Sequence, residues 1–99
     1  MKHFLLFYDF VADYLERRGP LRPEHLRHAR DAVARGELLL GGALADPADG
    51  AVLLFVAGER AVAEQFAEAD PYVRNGLARS WHVREWTTVV GGDALTPVP

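Results

Sequence analysis

The sequence predicts a ferredoxin-like βαββαβ plait, an α+β fold with a four-stranded antiparallel sheet and two helices on one face. Three observations lead there. Four β-forming runs, at residues 3–10, 37–44, 51–57 and 79–90, are separated by two segments with helical periodicity and by a short turn-rich loop. The connections are short and punctuated by glycine and proline, which favours neighbouring strands and right-handed crossovers. The first and third runs are apolar on both parities, as central strands are. The second and fourth carry glycines and charges suited to sheet edges.

Run 3–10 (HFLLFYDF) is rich in aromatic and branched residues and starts the sheet. Residues 11–21 form a connection with a helical turn over 13–18, broken by Gly19-Pro20. Pro23 then starts a helix at its favoured first position, with Glu24 complementing the helix dipole. Leu26, Ala29 and Val33 recur as its buried stripe, Arg27, Arg30, Asp31 and Arg35 face outward, and Gly36 ends it. In run 37–44, Gly41-Gly42 indicates a bulge or a close backbone approach. Residues 45–50 (ADPADG) make the hairpin loop to the third strand. The second helix covers 58–69, with Val62, Phe66 and Ala69 at helical spacing, and Pro71 stops it. Asp70 to Gly76 reads as one capped helical turn, with Asp at the cap, Pro at the first position and Gly past the end. In the last strand Trp81, Val83 and Glu85 share one face, and Ser80, His82, Arg84 and Trp86 the other. Residues 91–99 read as a loose tail on a single domain spanning 1–99.

Composition bounds the function. The chain has 99 residues, no cysteine and a formal charge of −3. Thiolate chemistry and disulfides are excluded, and a reducing cytoplasmic location is expected. The charge argues against a nucleic-acid or anionic-membrane partner, and the apolar run after Met1-Lys2 is too short to span a bilayer. Arg17, Arg18 and Arg22 read as a solvated basic face. Two helices cover only one sheet face, yet the central strands are apolar on both. The open face is therefore expected to pack on the same face of a second copy, giving a homodimer.

The topology gathers distant residues at one end of the sheet: Tyr8 and Asp9, Glu24 and His25, the 46–49 loop, and the 70–76 turn. His25 flanks the helix stripe, where a carboxylate such as Asp70 would fix its tautomer and tune it for proton transfer. A packing histidine explains the same position equally well. Tyr72 and Arg74 could hold an anionic or phenolic substrate, with Tyr8 and Ser80 as further contacts. Ser80, the only serine, has no identifiable base beside it for nucleophilic work. His28, three residues from His25, lacks a metal-site signature, so no metal is assigned. No cofactor motif is visible, and Gly41-Gly42 sits within a strand rather than before a helix, unlike a phosphate loop.

Arg22-Pro23-Glu24-His25-Leu26, Ala34-Arg35-Gly36-Glu37-Leu38 with Gly41-Gly42, Ala67-Glu68-Ala69-Asp70-Pro71-Tyr72-Val73 and Val83-Arg84-Glu85-Trp86 together resemble the YciI-like (YCII-related) family. The resemblance runs from His3 to Val90. It implies a small bacterial protein with a ferredoxin-like fold, dimerising into an α/β barrel similar to muconolactone isomerase. It also implies a histidine–aspartate pair in a cleft, which falls on His25 and Asp70, with Tyr72 on the tyrosine of the same motif. A few relatives are linked to dehydrohalogenation in aromatic degradation. The last strand departs from shorter family forms by carrying Ser80, His82 and two tryptophans, so the substrate does not transfer. Two readings follow: a dimeric lyase- or isomerase-like enzyme acting through His25 and Asp70 on a small cyclic or anionic metabolite, or a non-catalytic dimeric ligand-binding or accessory module. Fold alone does not separate them.

Overall fold

The computed structural model describes residues 1–99. β1 (Lys2–Phe10) leads into the short helix α1 (Tyr14–Arg17), then α2 (Arg22–Ala34), β2 (Leu38–Ala43) and β3 (Gly50–Ala57). α3 (Ala61–Ala69), the short α4 (Pro71–Arg74) and β4 (Ala78–Trp86) complete the chain's regular structure. The sheet order is β2-β3-β1-β4 with every pair antiparallel. This is the expected plait, with the two most apolar strands at its centre. No helix is long and apolar enough to cross a membrane.

Alternation along the strands sorts the side chains. Phe4, Leu6, Tyr8 and Phe10 of β1, and Ala51, Leu53, Phe55 and Ala57 of β3, are buried beneath the helices. Phe66 of α3 meets Phe55 edge-on, with ring centroids 5.2 Å apart. Leu5, Phe7, Val52, Leu54 and Val56 occupy the other face and are half-buried in the single chain. There Phe7 stacks on His82 at 4.8 Å, and Leu40 and Trp86 are exposed.

The helix boundaries follow local chemistry. The α2 helix has Pro23 in its first turn and ends before Gly36, whose φ of +77° is the left-handed value that glycine adopts readily. Gly76, at φ +75°, closes α4 in the same way.

The structure departs from the sequence expectation in three places. The α2 stripe is not buried: Leu26 and Ala29 are half-covered, Val33 is 54% exposed, and the helix's only fully buried residue is Ala32, outside the stripe. The reason is a cavity between α2 and the β2–β3 side of the sheet, which this stripe lines. The bulge in β2 lies between Leu38 and Leu40 rather than at the glycine pair. Gly41 instead sits where an added Cβ would come within 3.3 Å of the Leu53 side chain.

Beyond β4, the segment expected to be loose turns back on itself. Thr96 N–H donates to the Thr88 carbonyl and Val98 N–H to the Val89 carbonyl, both at 3.0 Å. His3 Nδ1, 2.8 Å from Thr88 Oγ1, ties this loop to β1.

Candidate active site

The turn between α3 and α4 is shaped by its proline. A residue preceding proline is pushed out of the helical region, and Asp70 is extended, with φ −70° and ψ 126°. That break ends α3 and leaves Asp70 as the N-cap of α4, where its Oδ1 accepts from Tyr72 N–H at 3.0 Å. Asp70 is fully buried, at 0% exposure. A buried carboxylate needs donors on its remaining lone pairs, and the fold supplies two. Tyr8, on the helix-facing side of β1, donates its hydroxyl to Oδ2 at 2.6 Å. His25, in the first turn of α2, brings Nδ1 to 2.8 Å from Oδ1 and 3.1 Å from Oδ2.

The carboxylate can only accept, so the hydrogen lies on Nδ1 and the neutral ring carries its lone pair on Nε2. Nε2 makes no hydrogen bond within the protein. The ring is held from a second direction: it lies flat on Tyr72, with centroids 3.7 Å apart and planes 3° from parallel. Tyr72 also contacts Phe10 and Tyr14 edge-on at 6.2 and 6.0 Å, and Phe10 stacks on Tyr14 at 3.8 Å. The histidine is therefore backed by a packed aromatic block.

Of the three buried tyrosines, Tyr8 and Tyr72 are held in their neutral forms. Burial pushes the Tyr8 hydroxyl far above the ordinary tyrosine range, and the Asp70 carboxylate adds to the shift. Burial pushes Tyr72 up to about 12; the Tyr14 phenol reinforces the shift, and Arg22 and Arg18 oppose it. Tyr72 Oη is buried and has no hydrogen-bond partner. Tyr14 raises its pKa both by charge and through its own hydroxyl as a hydrogen-bonding neighbour, although no bond of ordinary geometry joins the two oxygens.

His25, Tyr8 and Tyr72 line a cavity of about 280 Å³ between α2 and the sheet. This volume sits at the lower end of the range for small-molecule sites. The wall toward β2 and β3 is apolar, with Leu38, Ala51, Leu53 and Gly41 among its members, and Arg18, Arg22 and Arg30 are its cations.

The structure brings together His25, Asp70, Tyr72 and Tyr8. It does not bring Arg74 or Ser80 to them. Arg74 is exposed and lines no part of the cavity, because residues two apart on a helix point to opposite sides and Tyr72 takes the inward one. Ser80 is on the open sheet face, opposite Asp9, whose carboxylate pairs with Arg79 at 3.0 Å. His28 turns away from His25: its Nε2–H donates to the Phe66 carbonyl at 2.9 Å and its ring stacks on Phe66. No group of three or more His, Cys, Asp or Glu side chains is gathered to hold a metal ion.

Arg18, Arg22 and Tyr14 went unrecognised as cavity residues from sequence. The signal was present. Tyr14, Arg18 and Arg22 are spaced by four, and helical hydrogen bonds run from Arg18 N–H to Tyr14 and from Arg22 N–H to Arg18. One helical face therefore continues through the Gly19-Pro20 break into α2.

The YCII-related domain matches residues 1–87. The chain belongs to the YCII-related family. Among solved structures, this YCII-related protein is similar to the 5-chloro-2-hydroxyhydroquinone dehydrochlorinase TftG from Burkholderia phenoliruptrix AC1100, in complex with 2,5-dihydroxybenzoquinone. The superposition has a TM-score of 0.74 at 21% identity and covers 87% of this chain and 94% of that one. At that identity the likeness establishes the shared fold. No curated protein matches the chain.

Proposed function

We propose that this YCII-related protein is a small-molecule enzyme in which His25, oriented by Asp70, moves a proton on a small cyclic or anionic metabolite in a lyase- or isomerase-like reaction. The observation that carries the reading is the hydrogen bond from His25 Nδ1 to a fully buried carboxylate, with unpartnered Nε2 on a ring that lines a cavity. A fixed tautomer with a free basic nitrogen is what a general base requires, and Asp70 stabilises the imidazolium once the proton has moved. In an isomerisation the ring returns that proton at another atom. In an elimination the leaving group departs with its electron pair and the proton passes to solvent. That the fold-related TftG is a dehydrochlorinase of a hydroxylated ring supports a ring-sized substrate.

Homodimerisation through the open sheet face belongs to the same reading. Its support is the row formed by Leu5, Phe7, Leu54 and Val56, apolar on a face that no helix covers. Oligomerisation would bury that row without touching the cavity residues on the opposite face.

The enzyme reading is tested by screening cyclic and halogenated hydroxy-ring compounds with the wild type, His25→Ala and Asp70→Asn. The expected result is turnover by the wild type that falls at least a hundredfold in both variants. Turnover that survives both substitutions rules out the assigned roles. Ligand binding without turnover across the screen favours the non-catalytic module.

A further inference from the structure

The cavity's charge is opposite to the protein's. The chain has a net charge of −3, yet the ionisable groups lining the cavity, apart from the tyrosines, are Arg18, Arg22, Arg30 and His25, with no Asp or Glu among them. None of the three arginines is paired with a carboxylate. Outside the cavity Arg17, Arg35 and Arg79 have such a partner and Arg27, Arg60, Arg74 and Arg84 do not, so what sets the cavity apart is three guanidinium groups on one wall with no carboxylate among them. Unpaired guanidinium groups on the wall of an apolar cavity suit an anionic oxygen, because each is a planar donor fork of fixed charge.

A second, independent feature points to the same place. Tyr72 Oη is buried without a partner in a residue that is 1% exposed. A buried hydroxyl left unsatisfied is destabilising, and native structures keep few of them. Arg18 and Arg22 line the same cavity as Tyr72, and both favour the ionised form of its phenol. Arg18 also lies over the Tyr14 ring, its Cζ 5.4 Å from the centroid, and its Nη1–H reaches toward the Tyr14 hydroxyl at 3.5 Å. Tyr14, Tyr72, Arg18 and Arg22 thus line one cavity with His25, whose ring stacks on Tyr72.

We propose that Tyr14, Arg18, Arg22 and Tyr72 form an oxyanion-binding wall, and that the ligand is a planar, ring-sized organic anion with its charge on a carboxylate or phenolate oxygen. The inference rests on the reading of this cavity as the active site, and it adds the substrate's charge and the residues that hold it. The oxygen accepts from Tyr72 Oη–H and from the guanidinium forks, which satisfies the one orphaned hydroxyl. The ring occupies the apolar side against Leu38 and Leu53. Held by its oxygen, the ligand presents its ring to His25 Nε2. Arg18 and Arg22 bind the ligand directly in this arrangement and set specificity for an anion over its neutral isostere, while Tyr14 positions Arg18, whose guanidinium lies over its ring.

Binding, measured apart from turnover, provides the test. Benzoate, 4-nitrophenolate above its ionisation and neutral benzamide are titrated by calorimetry into the wild type, Arg18→Gln, Arg22→Gln, the double variant, Tyr72→Phe and His25→Gln. The wild type is expected to bind at least one of the two anions at least tenfold more tightly than benzamide, and the preferred anion tells carboxylate from phenolate. Each arginine variant is expected to lose about tenfold, and the double variant to lose the preference. Tyr72→Phe should weaken anion binding severalfold without lowering the melting temperature, because it removes an unsatisfied group. A merely structural tyrosine would not separate the two readouts. Anion binding retained in His25→Gln with turnover lost supports both readings. Anion preference without turnover in any variant keeps this proposal and removes the acid–base one. Equal affinity for benzamide and the anions, no binding of either anion, or an unchanged preference in the double variant overturns it.

Discussion

The imidazole of His25 lies parallel to the phenol ring of Tyr72 at 3.7 Å, while the carboxylate that holds its Nδ1 also caps the helix that carries Tyr72. Asp70 therefore fixes both the tautomer of the histidine and the position of the ring against which it stacks. Capping α4 and orienting His25 are not competing jobs. Oδ1 accepts from both Tyr72 N–H and His25 Nδ1–H, Oδ2 accepts from Tyr8 Oη–H, and a carboxylate has lone pairs for all of them.

Removing that carboxylate should be costly. Asp70→Ala loses the helix cap and leaves the Tyr8 hydroxyl and His25 Nδ1–H without a buried acceptor. The expected loss is about 3–5 kcal/mol, a fall in melting temperature of roughly 12 °C or more for a domain this size. Tyr8→Phe removes one donor and leaves the other two in place. It should cost only about 1–3 kcal/mol. Denaturant titration of both variants checks the order, and equal losses would show that Asp70 is not the hub.

Alkaline pH should destabilise the fold through the same two phenols. Folding raises the pKa values of Tyr8 and Tyr72 above the ordinary tyrosine value of 10.0, Tyr72 to about 12. Above pH 10 the unfolded chain loses these protons first, so the native state binds more protons and stability falls as pH rises. The contribution is intact below pH 10 and is lost progressively through about 12 for Tyr72. Thermal unfolding from pH 8 to 11 should show the decline beginning near 10, and Tyr72→Phe should flatten it. Ultraviolet titration should find both phenols un-ionised in the native protein at pH 10.

The open sheet face gives a separate prediction. Leu54 pairs with Leu5 at the centre of that face, away from the cavity. Leu54→Asp should shift a wild-type dimer to monomer in sedimentation velocity at micromolar protein while leaving ligand binding intact. A monomeric wild type contradicts the role given to this face.

Much of the architecture was legible in the sequence because it follows from local chemistry. Strands 1 and 3 are apolar on both faces and lie at the centre of the sheet; Pro71, Asp70 and Gly76 form the capped turn they spell. The meeting of His25 with Asp70 needed the topology and the family motif together, since 45 positions separate them. What stayed hidden was a gap. Helical periodicity marks Leu26, Ala29 and Val33 as facing the sheet, but it does not say whether the sheet is near enough to fill the space. Because it is not, the stripe became a cavity wall, and arginines that looked solvated border a site. Arg74 shows the converse: adjacency in sequence to Asp70 and Tyr72 suggested a shared role, and the helical rotation between positions 72 and 74 turns it to solvent.

Nitrogen NMR of the imidazole reads the protonation geometry of His25 without a substrate. In the pH range where the ring is neutral, the wild type should show a protonated Nδ1 and an unprotonated, base-type Nε2, and Asp70→Asn should abolish that preference. A neutral His25 protonated on Nε2 in the wild type would contradict the assignment of that nitrogen as the base.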